Sequence, residues 1–174
     1  LTLNIDDIDG AADLDEVAAS LITVDAAGTG GALTVASGTT VQALATLANV
    51  YGVTVAGAGT ADTATLVLDD NQTQIITFTG VETATIQNNA TAGTGTDITI
   101  AEVNAGTNKV VATGSNDVVY ELMEAGEFDG SAITGEVTIT QDAAADMDIM
   151  GGTVDNTVNF KGTTHENNFV GQAG

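Results

Sequence analysis

From residue 32 onward the chain alternates apolar and polar positions with a period of two, in short runs separated by Gly, Asn, Asp and Thr. Such alternation marks strands with one buried and one solvated face, and the separating residues are those that form turns. The runs span Ala32–Ser37, Val53–Ala56, Thr65–Leu68, Gln74–Thr79, Glu82–Gln87, Asp97–Ala101 and Lys109–Thr113. They continue as Asp117–Leu122, Glu136–Thr140, Met147–Met150, Thr157–Phe160 and Asn168–Val170. Two early segments carry helical spacing instead. Asp13 and Glu16 have the offset of a capping box, and Leu14, Val17, Ala18 and Leu21 fall on one helical face. Thr39 or Thr40 caps a second expected helix, with Val41, Leu44, Leu47, Ala48 and Tyr51 as its stripe and Gly52 as its stop. The expected fold is therefore mainly β: a β-solenoid or slim β-sandwich of many short strands, with one or two short helices near the N-terminus.

Composition sharpens this picture. Aromatic residues make up 3% of the chain and hydrophobic residues 43%, so the apolar set is mostly Ala, Val, Ile and Leu. Small and β-branched side chains suit a thin core between closely approaching sheets. Pro is absent, as continuous strand pairing requires. The Gly/Thr stretch Ala90–Thr96 is the best candidate boundary, dividing residues 1–92, β-rich with two helices, from a repeat-like region at 93–174.

Charge narrows the function classes. The formal net charge is −22, from 24 acidic residues and two Lys with no Arg. A chain so anionic repels nucleic acid and anionic membrane surfaces and attracts multivalent cations. No apolar run approaches the ~18 residues of a membrane span. There is no Cys for a disulfide framework or a thiolate metal site. The opening Leu1-Thr2-Leu3-Asn4-Ile5 lacks an initiator Met and a basic leader, and reads as a mature chain or a fragment of a longer one. Catalytic equipment is sparse. His165 is the sole His, so no His-paired triad arises within the chain, and its polar setting reads as a surface turn. With four Phe, two Tyr and no Trp, aromatic sugar platforms are also scarce. The expectation is a protein that is not an enzyme; a glycosidase or lyase site would need two close carboxylates of raised pKa in a cleft.

Several acidic turns are candidate cation ligands. Asp7-x-Asp9-Gly10, followed five residues later by Glu16, matches part of an EF-hand loop, with Ile5 where the first ligand belongs and Asp6 beside it. Read without a cation, it is an acidic turn leading into the first helix. Asp69-Asp70-Asn71 reads as an acidic hairpin tip. Asp117, Asp129 and Asp155 complete the candidate set of Asp6, Asp7, Asp9, Asp69, Asp70, Asp117, Asp129 and Asp155, with Ca²⁺ as the ion their oxygen donors favour.

The C-terminal stretch carries the sharpest motif. Gly151-Gly-Thr-Val-Asp155-Asn156-Thr-Val158-Asn and Gly162-Thr-Thr-His-Glu166-Asn167-Asn-Phe169-Val each fit a nine-residue frame, and Gly171-Gln-Ala-Gly174 opens a third. The frame resembles the glycine-rich nonapeptide of calcium-binding β-rolls, with Val158 and Phe169 in the core slot. It departs from that pattern at the ligand Asp, which is Asn156 and Asn167, and at the fourth-position Gly, which is Val154 and His165. Two further phrases, Phe78-Thr-Gly-Val-Glu82-Thr-Ala-Thr-Ile86 and Phe128-Asp129-Gly-Ser-Ala-Ile-Thr-Gly135-Glu-Val-Thr-Ile139, resemble phrases of bacterial surface-layer proteins. The chain thus resembles calcium-dependent S-layer and repeat-in-toxin-type β-solenoid proteins. That resemblance implies a structural subunit, extracellular on a bacterial cell surface, that self-assembles into a lattice ordered by Ca²⁺, with its own copies and a cell-envelope glycan as partners. A filament built by donation of the strand-like segment Leu1–Ile5 to a neighbour, or an adhesin or fibre module, is the alternative.

Overall fold

The computed structural model describes residues 1–6, 10–25, 32–44, 51–56, 59–70, 72–89, 98–105, 108–141, 146–161 and 166–171. Among them, seventeen strands form two parallel sheets whose strands alternate strictly along the chain. Odd-numbered strands build one sheet: β1 (Thr2–Ile5), β3 (Leu21–Val24), β5 (Thr40–Ala43), β7 (Thr63–Leu68), β9 (Thr83–Asn88), β11 (Lys109–Gly114), β13 (Glu127–Ile133), β15 (Asp148–Met150) and β17 (Asn168–Val170). Even-numbered strands build the other: β2 (Ala12–Leu14), β4 (Ala32–Val35), β6 (Tyr51–Val55), β8 (Gln72–Thr79), β10 (Ile98–Asn104), β12 (Val118–Glu124), β14 (Val137–Gln141) and β16 (Asn156–Phe160). Each strand pairs with the strands two before and two after it, so the chain winds as a β-solenoid with two strands per coil.

The register sets the coil length. Thr2 pairs with Leu21 and Leu21 with Thr40, a step of 19 residues. Val118 pairs with Val137 and Val137 with Asn156, again a step of 19. Longer coils occur between β5 and β7, where Thr40 pairs with Thr65, and between β9 and β11, where Thr83 pairs with Lys109. The strand stack continues unbroken across these longer coils. Residues 90–97 lie outside the described residues, and on either side of them β8 pairs with β10 and β9 with β11.

Alternation explains why these segments are strands. In β3, β4 and β5 every second residue is buried, and the same phase repeats in β9 and β14. Because parallel pairing aligns equivalent positions, the inward residues stack in ranks. One rank runs Ile22, Val41, Leu66, Ile86 and the next runs Val24, Ala43, Leu68. These residues are 0–2% exposed and belong to one continuous apolar cluster that extends from Ala19 to Ile149. Small branched side chains fill the narrow gap between facing sheets, as the composition implies.

Neither expected helix forms among the described residues. Ala12–Leu14 and Leu21–Val24 are strands joined through a turn closed by Val17 N–H to Leu14 C=O at 3.1 Å. Asp13 Oδ1 accepts from Asp15 N–H at 3.4 Å, an Asx-type turn contact in place of a helix cap. In the second segment Thr40–Ala43 is a strand whose Val41 and Ala43 lie in the ranks just described, and Tyr51 opens β6. Residues 45–50, including Leu47 and Ala48, lie outside the described residues. Of the described residues at helical offsets, Val41 stacks in register between Ile22 and Leu66 of the neighbouring coils, and this packing outweighs local helix propensity.

Two turns show why glycine is needed. Gly80 has φ +67°, and a Cβ there would lie 3.0 Å from the Val55 carbonyl oxygen of the previous coil. Gly114, at φ +140°, would place a Cβ 2.5 Å from the Asn88 carbonyl oxygen. Only a residue without a side chain lets successive coils turn this closely.

Candidate functional site

The structure distributes the candidate ligands along the whole solenoid and uses several of them as hydrogen-bond acceptors between coils. Asp6 is exposed just after β1; Asp7 and Asp9 lie outside the described residues. Asp69 follows β7 and sits between coils, its Oδ2 accepting from Gln42 Nε2 at 2.7 Å and its Oδ1 from Asn89 Nδ2 at 3.1 Å. Asp70, next to it, is exposed and engaged as well. Asp117 Oδ1 accepts the Glu136 backbone N–H at 2.7 Å, one coil ahead. Asp155 is exposed in the turn before β16, where its carbonyl accepts Val137 N–H at 3.3 Å.

Asp129 belongs to a different arrangement. It points outward from β13 and accepts from Ser131 Oγ at 2.6 Å and Ser131 N–H at 3.1 Å. Lys109 Nζ reaches across from β11 to Asp129 Oδ2 at 3.2 Å and to Glu127 Oε1 at 2.8 Å. The Ser131 hydroxyl, helped by the serine N–H and the Lys109 ammonium, holds the Asp129 carboxyl below its ordinary value. Hydrogen bonding to Glu127 raises the Lys109 ammonium in turn. This ladder joins three outward residues of two adjacent strands. Spacing did not reveal it, because Lys109 pairs with Glu127 only once the register is known.

Further turn acceptors follow the coil length. Glu82 Oε2 accepts Asp62 N–H at 2.7 Å, Asp146 Oδ1 accepts Glu166 N–H at 2.8 Å, and Asn167 Oδ1 accepts Met147 N–H at 3.0 Å. Each pair is separated by 20 residues. Side chains thereby satisfy backbone donors where the strand ladder stops at a turn. A correlation of acidic and amide residues at offsets of 19–20 residues was the readable signal; the nine-residue frame covers only half a coil.

The glycine-rich turn before β16 answers what its Asn substitutions do. Asn156 Oδ1 accepts Gly152 N–H at 2.8 Å, while its Nδ2 donates to the carbonyls of Val154 at 2.6 Å and Gly152 at 3.1 Å. An amide N–H group thus stands where two carbonyls converge. The donor set of this turn does not fit a resident ion. Val158, the core residue of the frame, packs against the apolar cluster; Phe169, on the outermost strand, is 40% exposed. His165 lies outside the described residues. Among the described residues no group of three or more His, Asp or Glu side chains is arranged around a common point.

Near the N-terminal turn, a concavity of about 460 Å³ is lined by residues including Asp15, Glu16, Ser20, Ser37 and Thr39. Contact with Asp13 raises the Asp15 carboxyl above its ordinary value. Both carboxylates are exposed, so water screens them.

Outside the turns, charge is distributed unevenly between two parts of the solenoid. Of the nine strands β1–β9 only β2 carries an acidic or basic side chain, that of Asp13. Strands β10–β17 carry Glu102, Lys109, Glu121, Glu124, Glu127, Asp129 and Asp148. On the odd-numbered sheet, the outward positions of β1–β9 form a broad face of Thr, Asn, Gln, Leu and Val. Thr40, Thr65 and Thr85 stand in register on three successive strands there.

Compared with protein families, curated proteins and solved structures, the chain matches none.

Proposed function

We propose that this chain is a structural element of an extracellular, self-assembling bacterial surface layer, in which divalent cations, Ca²⁺ foremost, neutralise acidic turns where copies meet. The observation that carries the reading is the placement of charge. In a chain of net charge −22, the strand faces of the first nine strands are almost free of ionisable groups and the carboxylates gather at turns. A stiff two-sheet rod with neutral faces and anionic margins suits a building unit: the faces lie against neighbours, and mobile cations screen the margins. Carboxylates such as Asp6 and Asp155, exposed at turns, are placed to share an ion with another copy. The cell-envelope glycan enters this proposal as the anchoring partner.

Strand donation fits less well. β1 is paired with β3, and Leu3 and Ile5 pack against the core, so freeing this strand would uncover its own first coil. No catalytic role is proposed.

Negative-stain electron microscopy of the purified chain in millimolar CaCl₂ and in EDTA tests the reading. Ordered sheets that form with calcium and loosen in EDTA, with β-content retained by circular dichroism, are expected. Dispersed particles in both conditions would overturn it.

A further inference from the structure

Within the fold the uncharged outer face of strands β1, β3, β5, β7 and β9 bonds along itself, Thr23 Oγ1 donating to Asn4 Oδ1 at 2.6 Å, and at its margin Gln42 Nε2 donates to Asp69 Oδ2 at 2.7 Å. The face presents Thr2, Thr23, Thr40, Thr63, Thr65, Thr83 and Thr85, interspersed with Asn4, Gln42 and Gln87 and with the aliphatic Leu21 and Val67. Twelve outward positions on five adjacent strands thus carry no ionisable group, in a chain with 24 acidic residues. The opposite sheet repeats the pattern over β4, β6 and β8, with Ala32, Thr34, Gly52, Thr54, Thr77 and Thr79 outward. We propose that the odd-sheet face is the contact through which a second copy of this chain packs, sheet against sheet, and that the smaller even-sheet face takes a further copy on the other side. The inference rests on the assembly reading and names its interface.

Charge selects the occupant. An identical chain brings the same −22, and close approach through turns or through strands β10–β17 sets carboxylate against carboxylate. The neutral face is where two copies meet with no buried like charges and at low desolvation cost, because hydroxyls and amides can pair across the contact. A carbohydrate partner is less well served, since the outward positions of this face hold no aromatic side chain. An anionic membrane surface is repelled.

Area limits the strength. Five strands about 4.8 Å apart, each four to six residues long at about 3.3 Å per residue, give a footprint of roughly 400 Å². That is about half the ~800 Å² per partner of a stable pairwise interface. One contact is therefore weak and concentration-dependent, and an array forms because each copy offers two faces. Salt has a diagnostic sign: screening the acidic margins strengthens this association, whereas salt weakens one held by ion pairs.

The experiment is sedimentation velocity of the full chain over a concentration series, at low and high NaCl. Thr40→Asp/Thr85→Asp is compared with wild type and with Thr138→Asp, which adds a charge to the outward side of β14. Thr40 and Thr85 are separated by the strand of Thr65, so the new carboxylates do not face each other in register. Should the double variant lose its cooperative thermal transition, the single Thr85→Glu, flanked in register by the uncharged Thr65 and Val111, replaces it. Expected is wild-type self-association that rises with salt, weakened at least tenfold by the face charges and unaltered by Thr138→Asp. Association that survives the face charges unchanged, or falls with added salt, removes this interface even where calcium-dependent sheets are seen. A face-dependent pair that never grows into sheets keeps the interface and overturns the layer. A wild-type chain that stays monomeric throughout overturns the inference.

Discussion

The coils up to β9 and those from β10 onward share one backbone plan and differ in what they put on it. Both wind two parallel strands per coil and bury every second residue. The first part fills its core with aliphatic ranks such as Ile22, Leu66 and Ile86. The second buries Tyr120, Met123 and Phe128 completely, with the Tyr120 and Phe128 rings edge to face at a centroid distance of 5.3 Å. Outside, the strand faces of the first part carry almost no charge and its carboxylates sit at turns, whereas the second part carries a charged ladder on its strands. Their turns differ too. Between β4 and β5, Thr39 N–H closes on Ala36 C=O at 3.2 Å and Gly38 N–H on Thr63 C=O at 2.7 Å, so backbone meets backbone; before β16 the Asn156 amide does the closing. The comparison teaches that inward alternation is what the strands of both parts share. Outward residues are released from it, so a face kept uncharged over five adjacent strands calls for a reason outside the fold, and the proposed contact between copies would supply one.

The comparison can be broken first in the core. Phe128→Ala should cost about 3–5 kcal/mol, more than Leu66→Ala, because a larger void opens and the edge-to-face contact with Tyr120 is lost. Chemical denaturation of both variants measures this; equal losses would mean that the aromatic pair adds nothing beyond its size. The turns give an intermediate effect. Asn156→Ala orphans a buried-turn N–H and two carbonyls and should cost about 1–3 kcal/mol, whereas Ser37→Ala, which removes one exposed bond to Thr63 N–H, should cost about 0.5 kcal/mol. Similar thermal shifts for the two would refute the distinction between side-chain-closed and backbone-closed turns.

The smallest effect is electrostatic. The Asp129 carboxyl titrates below its unfolded value, so its contribution is complete above the ordinary carboxylate pKa of about 4 and is lost as pH falls through the lower folded value. Because Lys109 and Glu127 are partly exposed, the contribution should not exceed about 1 kcal/mol. Ser131→Ala removes the first of its causes and should move the Asp129 titration, followed by NMR, back toward the ordinary range. An unmoved titration would assign the shift to Lys109 instead.

Asn88 marks a further contrast, at the junction of the two parts. Buried at the end of β9, it donates through Nδ2 to Thr113 C=O and Tyr120 Oη, both at 3.4 Å, while its Oδ1 lacks a partner. Burial pushes the Tyr120 phenol well above its ordinary value. In its rank Asn88 lies between Leu68 and Gly114, so an aliphatic residue would suit the alternation equally well. Nothing else in the packing explains its choice.

Most of the strand content was legible from the period-two alternation. Twelve runs read from the sequence overlap strands of the structure, from Ala32–Val35 to Asn168–Val170. The residues mistaken for helix, Leu14 to Leu21 and Val41 to Leu44, satisfy helical offsets by coincidence, and no local signal separates the two patterns in so few residues. Asp69, read as a hairpin tip, follows β7 at a turn between sheets, because β7 and β8 belong to different sheets; the partners that Asp69, Asp117 and Asp129 find on other coils lie 19 to 27 residues away in sequence.

The sequence by itself determined that the chain is strand-rich, thin-cored and intensely acidic, because alternation and composition are local quantities. Only the tertiary structure decided that the strands are parallel and stacked in coils mostly of 18 to 21 residues, with longer ones such as the 25 from Thr40 to Thr65. That stacking turns Asp117 and Asp146 into acceptors for the next coil and gathers scattered threonines into one uncharged face. Register carries this information. It is fixed by which inward residues pack on which, a comparison between coils that no single stretch of sequence contains.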